Sequence, residues 1–184
     1  RCAIPVAAKL TVHADSWQQP KRVNRLNGMS INEQAAVYES STQYFLNLAR
    51  GVAADQLDIK DPEGWSARQI IHHLADSEAQ SYARLRRLVA EPEGSIIQGY
   101  DENLWATAPQ LGYESAPVEN SIAVFAAVRA GSLDIIKRLQ ETDLEKSGVH
   151  SESGHYTIAK WLEGYSKHPV DHGDQLIRAV KGQN

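Results

Sequence analysis

After Met29 the three-and-four spacing of an amphipathic helix recurs four times, and nothing between the repeats carries a sustained alternation of β-branched residues. Ile31, Ala35, Tyr38, Thr42, Phe45, Ala49 and Val52 share one face of a first helix. Asp61-Pro62 and Gly64 mark the loop that follows. A second helix opens near Trp65-Ser66 and runs to about Ala90, with Ile70, Leu74, Ser81, Leu85 and Leu88 on its inner stripe; Pro92 and Gly94 stop it. A third turns Val118, Ile122, Phe125, Arg129, Ser132, Ile136 and Leu139 inward and ends near Gln140. A fourth, from about Thr157 to Val180, presents Ile158, Trp161, Tyr165, His168, His172, Gln175, Leu176 and Ala179. Helices with no sheet to pack on must bury their stripes against one another, so the expected fold is an all-α four-helix bundle.

The bundle is expected over residues 31–184, preceded by an irregular extension over residues 1–30 that contains Pro5, Pro20, Asn24, Asn27 and Gly28. Met29, the only methionine, stands directly before the first helix and is a candidate start, which would make residues 1–28 an upstream extension; the alternative is an arm packed through Trp17 and Leu26. A long connection, Glu91 to Pro117, joins the second and third helices and allows a crossover to a helix that is not the nearest neighbour. Loops of that length are functional or conceal an element. A short hairpin around Val149 to Tyr156 is expected to turn at Gly154.

Composition narrows the function. With 23 acidic against 19 basic residues and no basic helix face, nucleic acid is excluded as a partner. No apolar run approaches the ~20 residues of a membrane span, and Ala3 to Leu10 lacks the organisation of a signal peptide, so a soluble, cytoplasmic protein is expected. Cys2 alone builds neither a disulfide nor a thiolate metal site, and its place in the extension makes it a poor nucleophile. A metal would have to be held by His, Asp or Glu.

His168 and His172 lie four apart within the inner stripe of the fourth helix, a spacing that lets two imidazoles reach one ion. The alternative is a hydrogen-bonded pair helped by Asp171, Asp174 or Tyr165. A third ligand would come from the second helix. On a wheel centred on its apolar stripe, His73 lies about 90° from the centre and can face the bundle, whereas His72, about 170° away, is expected in solvent. Glu78 lies only about 55° from that centre, an unusual position for a carboxylate. It fits a hydrogen-bond partner acting behind the ligands, a ligand itself, or a buried carboxylate paired with an arginine. Pro169 removes a backbone donor directly after His168 and is expected to kink the fourth helix.

The segments WSARQIIHHLADSE, from Trp65 to Glu78, and HPVDHGDQL, from His168 to Leu176, resemble the DinB-like family of metal-binding four-helix bundles. YDENLW, from Tyr100 to Trp105, and the histidine of Gly148-Val149-His150 look like its bacillithiol- and mycothiol-dependent transferase branch. The resemblance covers about residues 31–180 and implies a three-histidine metal site at His73, His168 and His172. Such a site, free of protein carboxylate ligands, has the form of a catalytic centre with an open position. One divalent ion is expected, zinc or nickel first, with iron and copper also compatible. Two chemistries fit: hydrolysis, or transfer of a low-molecular-weight thiol to an electrophilic small-molecule substrate, the course that the resemblance favours. Asp76 and Asp171 are further candidates behind the ligands, and the Tyr100 to Trp105 segment is a candidate pocket wall. A non-catalytic metal-binding module is the alternative function, and a homodimer is compatible with either.

Overall fold

Three of the four long helices begin at a residue whose side chain caps the first turn. In the computed structural model, which describes residues 26, 28–60 and 64–182, Ser30 accepts from the Glu33 amide and Glu33 reaches back to the Ser30 amide, opening α1, Ile31–Gly51. Ser66 and Gln69 form the same reciprocal pair at the start of α2, Ala67–Ala90. Within the following connection Asp101 caps two amides of a six-residue helix, α3, Glu102–Thr107. Helix α4, Glu119–Ile136, starts at Val118 without a side-chain cap, and Thr157 caps α5, Ile158–Lys181.

The four long helices form the expected bundle. Helix α1 packs on α4 and α5, and α2 packs on the same two helices. The consecutive pairs α1 and α2, and α4 and α5, therefore take diagonal positions, whereas α2 and α4, which the long connection joins, are direct neighbours, so that connection makes no crossover to a distant helix. That connection is more structured than its glycine and proline content suggests. Besides α3 it supplies a two-residue strand, β1, Ile96–Ile97, and a 3-10 turn at Pro109–Leu111. The expected hairpin is present as β2, Ser147–His150, and β3, Gly154–Thr157, with Gly154 at φ +73°. Strand β1 joins β2 in parallel, pairing Ile96 with Val149 and Ile97 with His150, a pairing that no local pattern announces. Helix α4 ends at Ile136 rather than near Gln140, because the chain tightens into a turn and a 3-10 helix at Glu141–Glu145.

The core has two apolar regions, one around Phe45, Leu48, Ile70, Leu74, Phe125 and Leu176, the other around Tyr38, Leu85, Ile136, Trp161 and Leu162. Leu26 is buried in the second; Trp17 and nearly all of the extension lie outside the described residues. No helix among the described residues is long and apolar enough to cross a membrane.

Helix α1 packs tightly against α5 at Gly173. A Cβ there would lie 2.5 Å from the Tyr44 ring and 2.9 Å from Leu48 Cδ1. Gly164, also in α5, has nothing within 4 Å of that position. Gly173→Ala is expected to destabilise the fold by about 1–3 kcal/mol through overpacking. Gly164→Ala should be neutral or stabilising by about 0.5–1 kcal/mol. Urea unfolding of the two variants measures the contrast.

Candidate metal centre

His73 projects from α2 toward His168 and His172, which lie one turn apart on α5. One ring nitrogen of each can be chosen so that all three lie within 4.8 Å of one another. The rings contact edge to face or tilted, with centroids 4.7 Å apart for His73 and His172 and 4.6 Å for His168 and His172. His73 is 1% exposed, and neither of its nitrogens has a hydrogen-bond partner. A buried polar atom left unpaired costs roughly 1–3 kcal/mol, so a ring with two such atoms among the lone pairs of two other imidazoles is placed to receive a cation.

The neighbours prepare these rings for that role. His172 Nδ1 donates to Gln175 Oε1 at 2.7 Å, which leaves Nε2 as the lone-pair nitrogen. The Trp65 ring packs edge-on against His73, with centroids 4.9 Å apart. Burial, reinforced by His172 and His168, pushes His73 down to about 2. Burial and His168, opposed by the Gln175 hydrogen bond, push His172 down to about 4. Both rings are neutral at pH 7, the state in which imidazole binds a metal.

Behind His168 lies a charged layer between the two apolar regions. Glu78, 1% exposed, has Oε1 3.8 Å from His168 Nδ1 and accepts from Arg129 Nη1 at 3.1 Å. Of the three roles open to Glu78, the observed contact is that with an arginine. Arg129, equally buried, uses all five of its N–H groups: Nε on Thr42, Nη1 on Glu78 and the Tyr165 carbonyl, Nη2 on the Tyr38 carbonyl and Ser41. Its guanidinium also lies 3.4 Å from the Tyr38 ring centroid. The Tyr165 carbonyl is the one that Pro169, lacking an N–H, cannot engage. Arg129 Nη1 reaches it at 2.7 Å, and α5 runs unbroken from Ile158 to Lys181.

His72 does not face solvent. It is 5% exposed, with Nε2 donating to the Ala116 carbonyl at 3.2 Å and Nδ1 accepting from the Ser121 hydroxyl at 2.8 Å. The side of α2 opposite the bundle stripe is covered by the end of the connection and the start of α4, which a wheel drawn from the bundle stripe alone does not include. Asp76 accepts from the Tyr113 hydroxyl at 2.7 Å, and Asp171 pairs with Lys167 at the surface. Neither of these contacts is with a histidine of the cluster.

Beside His168 opens a cavity of about 580 Å³, lined by Ser77, Arg84, Tyr100, Glu102, His150, Glu152 and Tyr165 among others. Residues 100–103 wall it as expected, and Trp105 packs on Tyr100 with ring centroids 4.6 Å apart. Arg84, Glu102 and Glu152 are lining residues that periodicity had no means of finding. Arg84 is held by the Tyr165 hydroxyl and the Gln98 carbonyl.

The family model for the DinB superfamily matches residues 38–176. This chain belongs to the DinB superfamily. Among its DinB relatives is OB0782 of Oceanobacillus iheyensis, named as an inferred metal-dependent hydrolase, 32% identical over 148 residues that cover 80% of this chain and 84% of the relative. A protein of the same inferred activity from Bacillus mycoides is 31% identical over 129 residues, 68% of this chain and 72% of the relative. The DinB bundle also superposes on YfiT from Bacillus subtilis with a TM-score of 0.71 at 24% identity, covering 87% of this chain and 93% of that one. YfiT is described as a metal-dependent hydrolase candidate with an unusual four-helix bundle topology.

Arg129→Met should cost the DinB bundle about 3–5 kcal/mol, because Glu78 is left buried without its partner. Denaturant unfolding reads this directly. A pH dependence also follows. Below the ordinary imidazole value of 6.5 the unfolded chain takes up protons that folded His73 and His172 refuse, so metal-free protein should lose stability as pH falls from about 6.5 towards 4. Above that window the two rings contribute no slope. Melting temperatures measured across this range should fall less steeply for His73→Gln.

Proposed function

We propose that this chain is a metal-dependent hydrolase in which His73, His168 and His172 hold one divalent ion beside the cavity. The observation that carries the reading is the convergence of three imidazoles on one point, with His73 buried and otherwise without a partner. The names of the DinB relatives support it independently. Zinc and nickel are the ions that best suit a neutral all-imidazole donor set, with iron and copper compatible. Such an ion supplies Lewis acidity, lowering the pKa of water or of a thiol towards neutrality and polarising a substrate oxygen.

The protein's own groups do the rest. Gln175 fixes the tautomer of His172, and Glu78, held by Arg129, places a carboxylate oxygen 3.8 Å from His168 Nδ1. Trp65 keeps water from the side of His73 on which its ring packs. The cavity admits a small polar substrate rather than a macromolecule, and Arg84, fixed by the Tyr165 hydroxyl, offers it a cation.

Transfer of a low-molecular-weight thiol is the second reading. The same donor set accepts a thiolate, and residues 100–103, part of the segment that resembles the thiol-dependent branch, wall the cavity. A non-catalytic module is less favoured, because Glu78, the carboxylate that would close the site from within, is engaged by Arg129.

Reconstitution with Zn2+ or Ni2+ followed by elemental analysis should find about one ion per chain. His73→Ala and His172→Ala should each abolish that stoichiometry, and a wild-type chain that takes up no metal would refute the reading. Metal at a hundredfold over its dissociation constant should stabilise the fold by about 2.7 kcal/mol, a gain that chelation reverses. Assays of the loaded enzyme on esters and amides, against thiols mixed with electrophiles, separate the two reactions.

A further inference from the structure

The deepest carboxylate of the bundle is committed to Arg129, but a second one approaches the histidines from outside. Glu102 is the first residue of α3, and its side chain is 56% exposed. Its Oε2 lies 3.7 Å from His73 Nε2. This is too long for a hydrogen bond, and His73 has no partner at either nitrogen. In the tautomer with its lone pair on Nε2, the imidazole and the carboxylate are two acceptors that repel at this distance unless a cation lies between them. The spacing is close to the roughly 3.4 Å that separates two ligand atoms on a tetrahedral ion with bonds of about 2.0–2.2 Å. Glu102 and His168 line the same cavity, so the carboxylate and one imidazole of the cluster open on one space.

We propose that Glu102 is a fourth protein ligand, supplied by the short helix of the connection to an ion held by the three histidines. The proposal rests on the reading of His73, His168 and His172 as a metal centre. The Glu102 oxygens are not among the atoms that lie within 4.8 Å of one another in the cluster, so a side-chain rotation brings the carboxylate in. An exposed glutamate on a six-residue helix makes that rotation without disturbing the core. The same exposure makes the ligand exchangeable: water or substrate takes its position when the side chain swings out. Glu102 thereby offsets one unit of the ion's charge at rest and leaves an open coordination position when displaced.

The test uses Co2+ alone as the probe, titrated into metal-free wild-type, Glu102→Gln, Glu102→Asp and Glu152→Gln proteins. Affinity and the visible absorption of the bound ion are both recorded. Glu152 lines the same cavity and controls for the loss of a nearby negative charge. The proposal expects Glu102→Gln to bind one ion at least about tenfold more weakly, with an altered ligand-field spectrum. It expects Glu102→Asp to recover part of both, and Glu152→Gln to keep the wild-type spectrum. An unchanged spectrum and affinity in Glu102→Gln overturns the Glu102 assignment while the three-histidine site stands. Equal changes in Glu102→Gln and Glu152→Gln also overturn it, as a general charge effect. Failure of the wild-type chain to bind Co2+ overturns both readings together.

Discussion

A guanidinium group sits where the four long helices meet, and the bundle is arranged around satisfying it. Arg129 has no access to water, so each of its five donors must find an acceptor inside the protein. Helix α1 supplies three, α2 one and α5 one. A set of acceptors drawn from three helices fixes their axial register more narrowly than apolar packing does, because a slip of one turn would leave a buried charge unpaired. The two apolar regions of the core lie on either side of this layer. The histidine cluster stands beside it, reached through Glu78 and the backbone of Tyr165.

Pro169 belongs to the same arrangement. In an isolated helix it would leave the Tyr165 carbonyl unpaired one turn before the clustered histidines of α5. Here that carbonyl accepts from Arg129, which completes both the helix backbone and the arginine. The residue that reads as a helix breaker in sequence is thus accommodated by a residue far along the chain. The same donor, Arg129 Nη1, also reaches Glu78, whose carboxylate lies 3.8 Å from Nδ1 of His168, the residue before the proline.

The bundle, the three histidines and the inward placement of Glu78 and Arg129 were legible because each depends on helical periodicity, which survives in sequence without knowledge of neighbours. The hairpin was legible from its turn glycine. What escaped depends on partners distant in the chain. His72 looked exposed because Ala116 and Ser121, which cover it, lie more than forty residues on. Strand β1 is too short for its own pattern to show, and its parallel partner follows after four further elements. Glu102 reads as an ordinary residue of a helix's first turn until α3 is folded against the mouth of the site. Asp171 and Asp76, near the histidines in sequence, turn to Lys167 and Tyr113 instead.

The β1–β2 pairing ties the connection to the hairpin, so Glu102 on one and His150 and Glu152 on the other belong to segments stitched by a common backbone ladder. The three clustered imidazoles, by contrast, come only from the long helices. The cavity residues on the connection and the hairpin, Glu102 included, are therefore carried apart from the three clustered histidines. A lineage can redraw the first set by changes in loops and strand ends while the second keeps its register, which is how one bundle comes to serve several chemistries.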